Sequence, residues 1–151
     1  MEVLLEHHAD VNAATGNGCT PLYMTACAGS LECTLLLLKV GADVNYRCPL
    51  ARAVPTGVIE IIKYLLEAGA DPNLRNYYGW LPLEIGAMRN KMDIVEMLFP
   101  LTSPVRQVHE WSVQGMHQYV RSNAFNEKTR ENLKNYLAEN EGSRFFQEER
   151  I

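Results

Sequence analysis

Thr20 to Asn45 reads T-P-L-Y-M-T-A-C-A-G-S-L-E-C-T-L-L-L-L-K-V-G-A-D-V-N, and its parts return along the 151-residue chain. A-D-V-N stands at Ala9–Asn12 and again at Ala42–Asn45, a period of 33, and A-D-P-N follows at Ala70–Asn73. The opening phrase Thr20-Pro21-Leu22 recurs as Cys48-Pro49-Leu50 and Leu81-Pro82-Leu83. Each phrase has a structural reason. A threonine hydroxyl accepts from the orphan N–H groups of a first helical turn, and proline at the first helical position forfeits no hydrogen bond. Gly29, Gly41 and Gly69 offer the left-handed residue that ends a helix. The stretch therefore predicts two short helices per repeat.

The second helix of each repeat carries one apolar face. Leu31, Thr34, Leu37 and Leu38 correspond to Ile59, Ile62, Leu65 and Leu66, then to Met92, Val95, Leu98 and Phe99, at helical spacing. Glu32, Glu60 and Asp93 occupy the neighbouring position, where charge faces water. A single helix pair cannot bury such a face alone, so neighbouring repeats must stack into a continuous core.

A 33-residue period bearing T-P-L and G-A-D-x-N resembles the ankyrin repeat, and the resemblance spans residues 1 to about 102. It implies an all-α fold: a solenoid of helix pairs with short β-hairpin fingers and a helical C-terminal cap. The expected organisation is an array over residues 1–102, with a half repeat at 1–13 and repeats at about 14–45, 46–73 and 74–102. A capping helix or linker at 103–122, a polar helix at 123–140 and a disordered tail at 141–151 follow.

Composition bounds the function. Apolar residues make up 47% of the chain, enough for a packed core, and the net charge is -4. Residues 1–100 hold seven Lys or Arg against eleven Asp or Glu, whereas residues 101–151 hold seven of each. The array is the acidic part, which argues against a nucleic-acid partner, since phosphate binding needs a basic face. No apolar run approaches the roughly 20 residues of a membrane span, and the first residues do not read as a secretory or transit segment. Cys19, Cys27, Cys33 and Cys48 form no C-x-x-C pair and have no histidine pair at zinc spacing, so reduced thiols in a cytoplasmic or nuclear protein are expected, with no metal and no cofactor.

Departures from the pattern carry their own expectations. Residues 1–13 read as the second half of a repeat whose first helix is missing, leaving Val3, Leu4 and Leu5 without a stacked neighbour, as in a fragment or a chain covered from outside. His7 and His8 at that helix end suit the negative pole of the helix better than a metal. Between Asn45 and Cys48 five residues of the second finger are missing and the period falls to 28, so the ridge of fingers should be broken there. Cys48 and Leu81 replace the capping threonine, each at a cost of about 0.5–2 kcal/mol. Pro55 should stop its helix early, and Asn90 stands in for a capping glycine. After Pro104, residues Val105, Val108, Trp111, Val113, Met116, Tyr119 and Val120 suit an imperfect amphipathic helix interrupted at Ser112 to Gly115, covering the end of the third repeat. The phrase W-S-V-Q-G-M-H-Q-Y-V resembles the linker after the ankyrin array in plant proteins that also carry tetratricopeptide repeats, but residues 123–151 do not match such a repeat. Leu133, Tyr136 and Leu137 form only a weak apolar stripe.

Catalysis has no foothold in the sequence. Asp43 and Asp71 belong to turn phrases, Gly16 to Gly18 is a hairpin turn, and no G-x-x-x-x-G-K phrase exists. His109 and His117 lie two helical turns apart without a thiol or carboxylate partner at matching spacing. Recognition of another protein, as a scaffold or adaptor, is the expected role, with a chain that is monomeric unless its N-terminal half repeat associates, and no enzyme activity; a severed structural piece of a longer scaffold is the alternative. The ankyrin resemblance implies that finger tips and first helices line the concave surface. Matched position by position, these are Gly16, Asn17, Cys19, Cys27 and Ala28, then Pro55 and Thr56, then Tyr77, Tyr78, Trp80, Met88 and Arg89. The third set is rich in interface-favoured types, so a partner should anchor on Tyr77, Tyr78 and Trp80 and extend over Thr56 toward Asn17 and Cys19. Packing of Trp80 back on the adjoining helix or cap is the competing expectation.

Overall fold

A computed structural model describes residues 10–139, with side chains for 10–132 and for Lys134. Most of the N-terminal half repeat, His7 and His8, the Leu133–Leu137 stripe and the tail at 141–151 lie outside what it describes. Among the described residues every regular element is a helix. In order these are α1 (Pro21–Ala28), α2 (Leu31–Lys39), α3 (Pro49–Ala53), a 3-10 turn (Val54–Thr56), α4 (Ile59–Glu67), α5 (Pro82–Met88), α6 (Met92–Leu98), a second 3-10 turn (Phe99–Leu101), α7 (Val113–Val120) and α8 (Asn123–Glu139).

The helices form two layers. α1, α3 and α5 lie side by side, each packed on its own second helix, and α7 extends their layer beyond α5. The core runs along the seam. Thr34, Leu37, Ile62, Leu65, Val95 and Leu98 are all 1% exposed or less, whereas Glu32, Glu60 and Asp93 face solvent. Burying a leucine or isoleucine fully contributes about 1.5–3 kcal/mol, which is why the repeats must stack.

Side-chain bonds stitch one repeat to the next at the G-A-D-x-N turns. The Asn12 carbonyl Oδ1 accepts from the Asp43 N–H at 2.7 Å, Asn45 Oδ1 from the Asp71 N–H at 2.8 Å, and Asn73 Oδ1 from the Ser103 N–H at 2.7 Å. The amide Nδ2 of Asn45 donates onward to the Gly69 carbonyl, and that of Asn73 to the Leu101 carbonyl. In each phrase the aspartate folds back on its own turn, accepting from the asparagine N–H two residues on. Because each rung uses a backbone N–H of the following segment, the ladder continues onto Ser103 although the third repeat lacks its closing phrase.

The helix ends follow the sequence with two adjustments. Thr20 Oγ1 accepts from the Tyr23 N–H at 3.2 Å. Leu81 has no such acceptor, and Glu84 instead reaches back to the Leu81 N–H at 2.8 Å. Pro55 does end α3, at Ala53, and turns the chain into the 3-10 segment. Asn90 takes φ 55°, the left-handed cap it replaces glycine for.

Two expectations are corrected. The fingers are not β-hairpins among the described residues: the first is closed by Thr15 N–H to Cys19 carbonyl at 3.0 Å, the third by Asn76 N–H to Trp80 carbonyl at 2.9 Å. With only the backbone turn bonds Gly18 N–H to Thr15 carbonyl and Gly79 N–H to Asn76 carbonyl beside these, no ladder of paired strands extends from either finger, and each is a tight turn. The segment after Pro104 does not form one interrupted helix. Val105 to Trp111 is irregular, and Ser112, at φ -144° and ψ 166°, starts α7 by accepting from the Gly115 N–H at 2.9 Å. The supposed interruption is a helix N-cap. Met116, Tyr119 and Val120 bury against α5, and Trp111 stacks on Phe99 with ring centroids 4.8 Å apart.

Candidate functional site

The shortened second finger reshapes the surface around it. To close the gap between Asn45 and Pro49, Arg47 and Cys48 both adopt left-handed backbone, at φ 61° and 55°. For two consecutive L-residues this costs about 1–2 kcal/mol each. The side chains offset part of that cost. The Arg47 guanidinium bonds to the Asn17 carbonyl of the first finger and lies over the Tyr77 ring of the third, 4.1 Å from its centroid. Its Nη1 is also 3.7 Å from Cys19 Sγ. The Cys48 thiol donates to the Leu74 carbonyl at 3.3 Å. Arg47 thus spans the gap left by the missing finger, so the ridge expected to be broken is bridged by one side chain.

Behind this bridge lies a concave cleft of about 280 Å³. Its floor comes from the first helices: Tyr23 and Cys27 of α1, Ala51 and Arg52 of α3, Ile85 of α5, with Pro55 and Thr56 from the 3-10 turn. One wall is the third finger, through Asn76, Tyr78 and Trp80, and Arg89 stands at the end of α5. Asn76 builds that wall, since its Oδ1 accepts from the N–H groups of both Tyr78 and Trp80 at 3.0 Å. Thr56 donates to the Ala53 carbonyl at 2.6 Å, which holds the rim in place.

The finger aromatics do not project as a docking knob. Tyr78 is buried and pairs with Trp80, ring centroids 5.1 Å apart. Trp80 is 9% exposed, and its indole N–H donates to Thr129 Oγ1 of α8 at 2.9 Å. The competing expectation of a tryptophan folded back thus matches its position, with α8 as the element it meets. Tyr77 is half-buried beneath Arg47. Cys19 is buried, Met88 and Thr56 are half-buried, and Asn17 and Arg89 are exposed. Cys27, Pro55, Thr56, Tyr78, Trp80 and Arg89 come together in the cleft, whereas Asn17, Cys19, Tyr77 and Met88 do not line it.

Sequence reasoning missed Arg47, Arg52 and Tyr23. The first 100 residues contain only four arginines, and three of them, Arg47, Arg52 and Arg89, line this cleft.

Beside the cleft, Glu84 is 1% exposed, and its Oε1 accepts from Arg75 at 2.9 Å as well as from the Leu81 N–H. Arg75 also donates to the Gly79 carbonyl at 2.7 Å, tying the third finger to α5. The Tyr119 hydroxyl is buried without a hydrogen-bond partner among the described residues, as is Glu84 Oε2. Burial, and secondarily the Glu84 charge, raises the Tyr119 phenol above its ordinary value, with Arg75 opposing. Among the described residues no group of three histidine, cysteine or acidic side chains is placed to hold a metal, and no helix is long and apolar enough to cross a membrane.

Comparison with known proteins agrees with this geometry. Residues 17–49 match the profile of the ankyrin repeat, and residues 50–99 that of ankyrin repeats in many copies. The chain is similar to ankyrin repeat and SAM domain-containing protein 6 of Rattus norvegicus, 34% identical over 115 residues. That match takes in 72% of this chain but 13% of the relative. Protein phosphatase 1 regulatory subunit 27 of Homo sapiens is 36% identical over 74 residues, 46% of this chain and 48% of the relative. Ankyrin repeat and SOCS box protein 11 of Danio rerio is 36% identical over 89 residues, 56% of this chain and 30% of the relative. The chain thus spans less than half the length of each, and all three come from animals.

Proposed function

This chain belongs to the ankyrin-repeat family, and on that premise we propose that it is a non-enzymatic recognition module, a scaffold or adaptor that holds a segment of another protein in the cleft formed by α1, α3, α5 and the third finger. The observation that carries this reading is the convergence of Cys27, Pro55, Thr56 and Arg89 on one concave surface walled by Tyr78 and Trp80. Against such a floor and wall a partner segment loses water, which is where binding energy concentrates. Thr56 and Arg89 supply polar contacts. Tyr78 and Trp80 act as a rigid apolar wall rather than as projecting anchors, while Tyr77, Asn17 and Cys19 set the rim through Arg47. Met88, outside the cleft, packs against the core. The segment from Ser103 to Val120 acts as the C-terminal cap of the array, taking the place of a further repeat against α5.

The name of one relative describes a regulatory subunit of a phosphatase, and those of others pair ankyrin repeats with a SAM domain or a SOCS box. A regulatory subunit is in keeping with this role.

The test is a photo-crosslinking residue introduced at Cys27 on the cleft floor or, as control, at Glu67, which is exposed on α4. In extract from the native source, position 27 should give a discrete protein adduct that excess unlabelled chain suppresses, and position 67 should not. Equal labelling from both positions, or none from position 27, overturns the reading.

A further inference from the structure

The two layers differ in charge. The second helices and their ends present Glu32, Glu60, Glu67, Asp93 and Glu96 to solvent beside Lys39 and Lys63, an acidic excess. The cleft on the opposite side is lined by Arg47, Arg52 and Arg89, and no carboxylate among the described residues lines it. The one acid on a first helix, Glu84, is turned inward and bonded to Arg75. A chain of net charge -4 therefore carries a local basic concavity. Low-dielectric walls focus such a field on the cleft mouth.

The side chains are suited to a particular partner chemistry. Arg89 is exposed at the end of α5, and Arg52 sits half-buried on the floor with its guanidinium carbon 5.7 Å from the Tyr23 ring centroid. Stacking on an aromatic face pre-orients a guanidinium, whose planar fork matches a carboxylate bidentately. Arg47 is committed to Asn17 and Tyr77, so it shapes the field at the rim. The rings of Tyr23, Tyr78 and Trp80 line the same cleft.

We propose that the segment held in the cleft is an extended acidic peptide of a partner protein, its carboxylates meeting Arg89 and Arg52 and an apolar side chain lying against Trp80. This rests on the recognition role proposed above and specifies its partner. A nucleic acid fits less well. Tight phosphate binding engages roughly 6–10 cations along a track, whereas here three arginines share one cavity of about 280 Å³ and the outer layer repels a polyanion.

The probes are fluorescein-labelled peptides of alternating glutamate and tyrosine, with glutamine–tyrosine and lysine–tyrosine counterparts and a single-stranded oligothymidine, read by fluorescence anisotropy on the whole chain. The glutamate peptide should bind at least about ten-fold more tightly than the others and weaken as salt rises from about 50 to about 300 mM. Arg89→Glu should reduce its affinity by about ten-fold or more, while Lys63→Glu on the outer layer should change it by less than about two-fold. Arg52→Gln, compared at matched circular dichroism, provides a second variant. Equal binding of the glutamine peptide, indifference to Arg89→Glu, or oligothymidine binding as tight as the glutamate peptide overturns the proposal. If position 27 still crosslinks specifically to a protein in extract, recognition stands and only its acidic chemistry falls. If that crosslink is absent as well, both fall.

Discussion

Replacing Arg47 tests whether one side chain substitutes for a missing finger. In Arg47→Ala the left-handed backbone stays and the bridge goes. The lost bond to the Asn17 carbonyl is charge-assisted but solvent-exposed, so about 1 kcal/mol is appropriate rather than the 1.5–3 of a buried case. The contact with the Tyr77 ring, at 4.1 Å, adds about 0.5–1 kcal/mol at an exposed site. Releasing a long side chain returns roughly 0.5–1 kcal/mol of rotamer entropy. The net expectation is a destabilisation of about 1 kcal/mol. Arg47→Gly loses the same contacts but relieves the backbone at φ 61°. That relief is worth about 1–2 kcal/mol, set against about 0.5–1 for the greater freedom of glycine in the unfolded chain. The glycine variant should therefore lie close to the parent and about 0.5–1 kcal/mol above the alanine variant. Urea unfolding followed by far-UV circular dichroism resolves this, since for slopes of about 1–3 kcal/mol/M a 1 kcal/mol change moves the midpoint by about 0.3–1 M. An alanine variant as stable as the parent would show that the bridge contributes nothing. A glycine variant less stable than the alanine variant would show that the turn is not left-handed.

Asn73→Ala removes the acceptor for the Ser103 N–H and the donor to the Leu101 carbonyl; a loss of about 1–2 kcal/mol is expected by urea unfolding, with Asn45→Ala behaving alike. Gly115→Ala places a methyl group on the Glu110 carbonyl oxygen, so α7 should shift and stability fall by about 1–3 kcal/mol, measured by the same unfolding curves. Tyr119→Phe removes a buried hydroxyl without a partner among the described residues and should be neutral or stabilising by up to about 1 kcal/mol at neutral pH. Its pH dependence has a defined sign. Because folding raises the Tyr119 phenol above its ordinary value of 10.0, the unfolded chain releases this proton first, and stability falls as pH rises beyond that value until the folded phenol titrates. Comparing parent and Tyr119→Phe melts between neutral pH and that window should show the parent losing more; parallel curves would refute the assignment.

Helix positions, the stacking of repeats, the early stop at Pro55 and the left-handed cap at Asn90 were all legible along the chain, because each depends on groups within a turn or two of one another. The 3.6-residue spacing of Leu, Ile and Val and the punctuation by Thr-Pro and Gly are local facts with local consequences. What a missing finger becomes is not local. Nothing in Tyr46-Arg47-Cys48 announces that Arg47 joins Asn17 to Tyr77, since those partners meet only when three repeats stack. Trp80 shows the same limit. An aromatic at a finger position reads equally as an interface anchor or as core, and the arrival of α8, with Thr129 at its indole N–H, selected the second. The likeness of Trp111 to Val120 to a plant linker carried no geometry at all. There the tertiary structure alone decided that the helix starts at Val113 and closes on α5. Sequence by itself thus determined the family and the layers, through short-range patterning, while the character of the concave face was left to contacts between residues about 30 or more positions apart, which only packing brings together.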